Sequence, residues 1–128
     1  MNSHTGRQAL SLSAINGFLA VALGAFGAHG LEAKLSPDML DTFNTGVQYH
    51  MFHVGGLIAV AVLSLTSDTP RLRLATWLFM TGIILFAGSL YVLAITGIRS
   101  LGMVTPVGGL FFLAAWVILF IEAVRRHE

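Results

Sequence analysis

Four stretches of this chain contain no Asp, Glu, Lys or Arg, and each is longer than 20 residues: Arg7 to Glu32, Asp41 to Asp68, Arg73 to Arg99, and Arg99 to Glu122 bound them. An α-helix needs about 20 residues to cross the hydrocarbon core of a bilayer, and a charge inside that core is expensive. Only helices and closed barrels satisfy their backbone polar groups in lipid, and barrel strands alternate apolar and polar residues at every second position. The apolar runs here are continuous. The expected fold is all-α, a four-helix bundle integral to the membrane. It forms one domain over residues 1–128, with spans at about 9–30, 47–65, 74–95 and 105–123.

The charge balance supports this. Charged residues are 10% of the chain and apolar residues 55%, against roughly a quarter charged in soluble domains. A soluble domain of this size has too much surface to be covered by seven basic and six acidic residues. Lipid is therefore the expected surroundings. A net charge of +1 supplies no basic field for nucleic acid. The absence of cysteine excludes disulfides, thiolate metal sites, iron–sulfur clusters and covalent haem attachment.

Lys and Arg beside the spans set the orientation. With four crossings, one side receives Arg7, Arg71, Arg73, Arg125 and Arg126 and the other only Lys34 and Arg99, which places both termini in the cytoplasm. The expected location is a bacterial cytoplasmic (inner) membrane. The first apolar segment is read as a retained helix and not as a cleaved signal, because Arg7 alone makes a poor positive n-region.

Local signals define the connections. Ser36-Pro37-Asp38 reads as a helix start, with Ser as N-cap, Pro at the first helical position and Asp favoured by the dipole. Leu40, Phe43 and Val47 then share one face, and Asp38, Asp41 and Thr45 lie elsewhere, which gives a short amphipathic segment between the first and second spans. Ser67-Asp68-Thr69-Pro70 reads as a turn, residues 97–103 as a loop, and Thr105-Pro106 as the cap of the fourth span. Trp77 and Tyr91 mark the two ends of the third span as an aromatic belt. Glu122 with Arg125 and Arg126 reads as a solvated end.

Packing and chemistry are read from few residues. Ser13, Gly17, Ala20, Gly24 and Ala28 form a small-residue face on the first helix, and the pairs Gly55–Gly56 and Gly108–Gly109 suggest further close contacts. His29, His50 and His53 fall near the non-cytoplasmic side and are the candidate metal or haem ligands. No HExxH motif, intramembrane carboxylate or cysteine accompanies them, so the expectation is no metal and no cofactor, with the histidines at the lipid–water boundary. Catalytic residues are not evident, since the acids lie at span ends and no Ser–His pairing can be read from spacing. Asn16, Thr81 and Ser89 could line an oligomeric channel.

Gly24-Ala25-Phe26-Gly27-Ala28-His29-Gly30-Leu31, the run Tyr49 to His53, and Thr105-Pro106-Val107-Gly108-Gly109 with Trp116 resemble the domain-of-unknown-function 423 family. These are small four-helix membrane proteins, YgdD-like and YwdK-like in bacteria, with a eukaryotic transmembrane relative. The resemblance implies four spans, a retained first helix and no assigned activity. Its pattern maps onto Gly24, Gly27, His29, Gly30, Tyr49, His53, Pro106, Gly108, Gly109 and Trp116. At His50 the family pattern carries Gln or another polar residue, a departure that weakens a three-histidine site. The expected function is that of a non-enzymatic structural, accessory or self-associating membrane protein, a homo-oligomer or the companion of another membrane protein. The alternative is a ligand- or metal-binding, transport or channel protein that uses the His29 and His53 region.

Overall fold

The computed structural model describes residues 4–126, and of Ala28 only the backbone. All regular elements among the described residues are helical. They are α1 (His4–His29), α2 (Pro37–Leu63), α3 (Pro70–Gly82), a π-helical turn (Ile83–Ala87), α4 (Gly88–Thr96), a 3-10 helix (Arg99–Met103) and α5 (Thr105–Arg125). α3, the π turn and α4 are continuous, so the chain makes four rods, each long and apolar enough to cross a membrane: His4–Gly27, Pro37–Leu63, Pro70–Thr96 and Arg99–Arg125.

Caps and turns follow the local chemistry in part. The Ser36 hydroxyl accepts the Met39 N–H at 3.2 Å with Pro37 in the first turn, and Thr69 caps α3 ahead of Pro70 in the same way. Gly97 closes α4 with φ +73°, its N–H bonded to the Leu93 carbonyl at 2.8 Å. That left-handed conformation is open to glycine at little cost. Thr105, in contrast, does not cap α5; its hydroxyl meets Ser89 across the bundle at 2.6 Å.

The helices begin earlier than hydropathy alone indicates. The amphipathic segment is not a separate piece but the first turns of α2, which runs unbroken through Gly46. Its apolar face behaves as expected: Phe43 and Val47 are buried with Leu31 and Ala94 in a small core at one end of the bundle. The larger core packs Leu57 and Val60 of α2 against Leu72 and Phe79 of α3 and Phe112 and Leu119 of α5. Within the expected loop at 97–103, Arg99–Met103 forms a 3-10 helix.

The small-residue face of α1 lies against α2. A Cβ on Gly24 would stand 3.3 Å from Val47, and one on Gly17 3.8 Å from Val54. The face therefore serves packing within the chain. Of the two glycine pairs only one member each is in close contact: Gly56 lies under the Phe79 ring and Gly108 against the backbone of the π turn, whereas Gly55 faces open space.

The α1 start, the α2–α3 turn and the α5 end gather at one end of the bundle. The Thr5 N–H reaches the Asp68 carboxylate at 3.4 Å, and Arg126 donates to the Thr66 hydroxyl and the Ser67 carbonyl. Glu122 corrects the sequence reading. It is 1% exposed, held by Arg71 at 2.9 Å, Arg126 at 2.8 Å and the Thr69 hydroxyl at 2.9 Å. The rotation of α5 against α3 decides this, and a sequence does not state helix rotation.

Candidate functional site: the histidine networks and the groove between α2 and α5

His50 and His53 are one helical turn apart on α2 and both are 3% exposed. They lie inside the bundle and not at its lipid–water boundary. His29, at the end of α1, is exposed. Among the described residues no group of three His, Cys, Asp or Glu side chains is placed to hold a metal ion. The three histidines thus separate into one surface group and two buried ones with different partners.

His53 faces α5. The Trp116 indole N–H donates to its Nε2 at 3.1 Å, and its Nδ1 lies 2.7 Å from the Tyr49 carbonyl oxygen. An indole N–H can only donate and a carbonyl can only accept, so the partners fix the tautomer: a neutral ring with its proton on Nδ1. The ring stacks on Phe112 with centroids 3.5 Å apart and interplanar angle 7°.

His50 faces the other way, toward α1 and α4. The Asn16 amide N–H₂ donates to the Leu12 carbonyl at 2.8 Å and touches the Met80 sulfur at 3.2 Å. This leaves Asn16 Oδ1 to accept from His50 Nε2 at 2.9 Å, and the Tyr91 hydroxyl, 2.9 Å from Nδ1, is then the donor. The bonds run in one direction, Tyr91 to His50 to Asn16 to Leu12, and tie three helices together. Tyr91 thus points partly into the bundle, and its ring packs on Phe43 with centroids 5.0 Å apart. Trp77, by contrast, is exposed, as a belt residue would be. A cavity of about 350 Å³ between α1 and the third rod has Asn16, His50 and Tyr91 in its lining.

The third network sits at the π turn. The Ser89 hydroxyl donates to the Phe86 carbonyl at 2.9 Å, so the Thr105 hydroxyl is the donor in the 2.6 Å contact between the two. Asn16 and Ser89 belong to separate internal networks. Thr81 is half-buried.

Residues that carry the family resemblance converge on one place. Tyr49 and His53 from α2 and Pro106, Gly109 and Trp116 from α5 line a groove of about 430 Å³, with Phe86 of the π turn in its wall. Gly108 stands beside it with no room for a side chain: a Cβ would fall 2.8 Å from Leu85 C and Phe86 Cα. Gly24 and Gly27 serve the α1–α2 contact instead, Gly27 beneath the Phe43 ring. Sequence reasoning singled out Trp116 and His53 but missed Phe112, Asn16 as the partner of His50, and Glu122 as a buried acid. Only Asn16, a polar residue inside an apolar run, carried a signal.

Residues 23–109 match the family described as "Protein of unknown function (DUF423)". The chain is 50% identical over 115 residues to the UPF0382 membrane protein YwdK of Bacillus subtilis, covering 89% of this chain and 94% of that protein. It is 38% identical over 127 residues to the UPF0382 inner membrane protein YgdD of Escherichia coli, covering 94% and 92%. A UPF0382 membrane protein of Haemophilus influenzae is 44% identical over 86% of this chain and 88% of its own. No solved structure matches.

Proposed function

The chain belongs to the DUF423 family of membrane proteins, and from that premise we propose that it works by binding and not by catalysis, as an accessory protein of the cytoplasmic membrane that associates with itself or with another membrane protein. The observation that carries this is the pairing of its interior. Both ring nitrogens of His50 and of His53 are engaged by protein groups, Ser89 is spent on Phe86 and Thr105, and Glu122 is neutralised by two guanidinium groups. Among the described residues, the Thr5 hydroxyl is the buried side-chain polar atom left without a partner. A base needs a free lone pair and a nucleophile needs a base beside it; these buried groups offer neither.

The competing reading, a metal or haem site at His29 and His53, requires His53 to release Trp116 and to meet a histidine exposed on another helix. Elemental analysis and a visible spectrum of the purified protein test both readings, together with labelling by a fluorophosphonate serine probe. The expected result is no stoichiometric metal, no haem band and no labelling. A stoichiometric metal lost in His53→Ala, or a serine labelled at stoichiometry, would overturn the non-catalytic reading.

A further inference from the structure

We propose that His50 is a proton-binding site inside the bundle, which takes a second proton onto Nδ1 by reversing its bond to Tyr91, and that His53, one turn away, is not. This goes beyond the non-catalytic reading. A proton is bound and released, and no bond in a substrate is made or broken.

Burial does not separate the two rings, since each is 3% exposed. Fixed charge does not separate them either. α1 between Arg7 and Glu32, α2 beyond Asp41, the third rod between Arg73 and Arg99 and α5 before Glu122 hold no Asp, Glu, Lys or Arg. The titratable group that faces His50 from another helix is the Tyr91 hydroxyl. Asn16 of α1 completes that side, backed by Met80 of α3. His53 meets Phe79 of α3 and Phe112 and Trp116 of α5, none of which titrates, and the Tyr49 ring on its own helix. What differs is which bonds can turn round.

An imidazolium carries a proton on each nitrogen and accepts at neither. At His53 a second proton would set Nε2–H against the Trp116 N–H, 3.1 Å away. An indole N–H is a donor only, so this bond cannot reverse and is lost. The Phe112 ring, stacked face to face on the imidazole, supplies no acceptor in its place.

At His50 no partner is lost. Nε2 already donates to Asn16 Oδ1 at 2.9 Å, and such a bond strengthens when its donor becomes charged. Nδ1 faces a phenol oxygen at 2.9 Å, and a phenol hydroxyl both donates and accepts. When a proton from water binds Nδ1, the new N–H donates to the Tyr91 oxygen. The hydroxyl turns its own proton away by rotating about its C–O bond. The ring gains one proton and one positive charge, and no bond within Tyr91 breaks. Tyr91 is half-buried and lines the cavity of about 350 Å³ together with His50 and Asn16, so the turned hydroxyl has open space before it.

The test is a pH titration of full-length protein in detergent micelles, with nitrogen-15 in all five histidines and helix content followed in parallel. His50→Gln and His53→Gln identify the two ring signals. Their opposite neutral tautomers, protonated at Nε2 and at Nδ1, identify them independently if a variant does not fold. The expected result is that His50 becomes doubly protonated while helix content is kept, and that His53 stays neutral until helix content falls. In Tyr91→Phe the new N–H has no acceptor, so the proton affinity of His50 drops at least tenfold, about one pH unit. Protonation of His53 before or together with His50 overturns the proposal. So does a His50 that stays neutral as long as the protein is folded, or a midpoint unmoved in folded Tyr91→Phe. Should Tyr91→Phe not fold, the order of titration in the parent decides alone.

Discussion

His50 and His53 stand one turn apart on α2 and carry their protons on different ring nitrogens, because their partners differ in what they can donate. Trp116 supplies the bond that pins His53, so its removal leaves Nε2 buried and unpaired. Such a group destabilises by about 1–3 kcal/mol. Trp116→Phe is therefore expected to lower the thermal midpoint in detergent clearly, whereas Trp77→Phe, at a 51% exposed position, lowers it little. Equal effects of the two substitutions would remove the special role of the His53–Trp116 bond. The sequence marks both residues but not their meeting, since 63 positions separate them and no spacing rule covers that distance.

Among the elements, the π turn at Ile83–Ala87 has the widest consequences. One extra residue in a helical turn shifts the register of everything beyond it. It places the Leu85–Phe86 backbone directly against Gly108, and Ser89 answers the Phe86 carbonyl. Backbone cannot step aside as a side-chain tip can, so Gly108→Ala is expected to destabilise by about 1–3 kcal/mol through overpacking. Gly55→Ala, which meets nothing within 4 Å, should be neutral or stabilise by up to ~1 kcal/mol from helix propensity. A comparison of melting midpoints measures the contrast, and a Gly108→Ala protein as stable as Gly55→Ala would show that the two rods are not in backbone contact. The four spans and the Ser36-Pro37 start were legible in the sequence, because caps and apolar length are local properties; Thr69-Pro70, read there as part of a turn, is also the start of α3. The π turn was not: Ile83-Ile84-Leu85-Phe86-Ala87 has the composition of any membrane helix.

For the molecule as a whole, charge decides orientation and rotation decides the interior. Arg71 and Arg126 meet at Glu122, and Arg73 reaches Asp68, beside the start of α1. The arginine-rich end seen in the sequence is thus one physical end, with Lys34 and Arg99 at the other. Positive residues favour the cytoplasmic side. A fluorescent protein fused after Arg126 is expected to fluoresce, and alkaline phosphatase fused after Ile98 to be active; the inverse pattern would reverse the assigned orientation. By itself the sequence determined that lipid surrounds four helical rods and which ends carry positive charge, since these depend on transfer free energies summed along a continuous stretch. Only the tertiary structure decided that Glu122 is buried, that His50 and His53 turn to different helices, and that Tyr49, His53, Gly109 and Trp116 meet in one groove. Those outcomes depend on the rotation of each rod about its own axis. When lipid and protein interior are almost equally apolar, hydropathy cannot report that rotation; close packing and hydrogen bonding between distant residues set it.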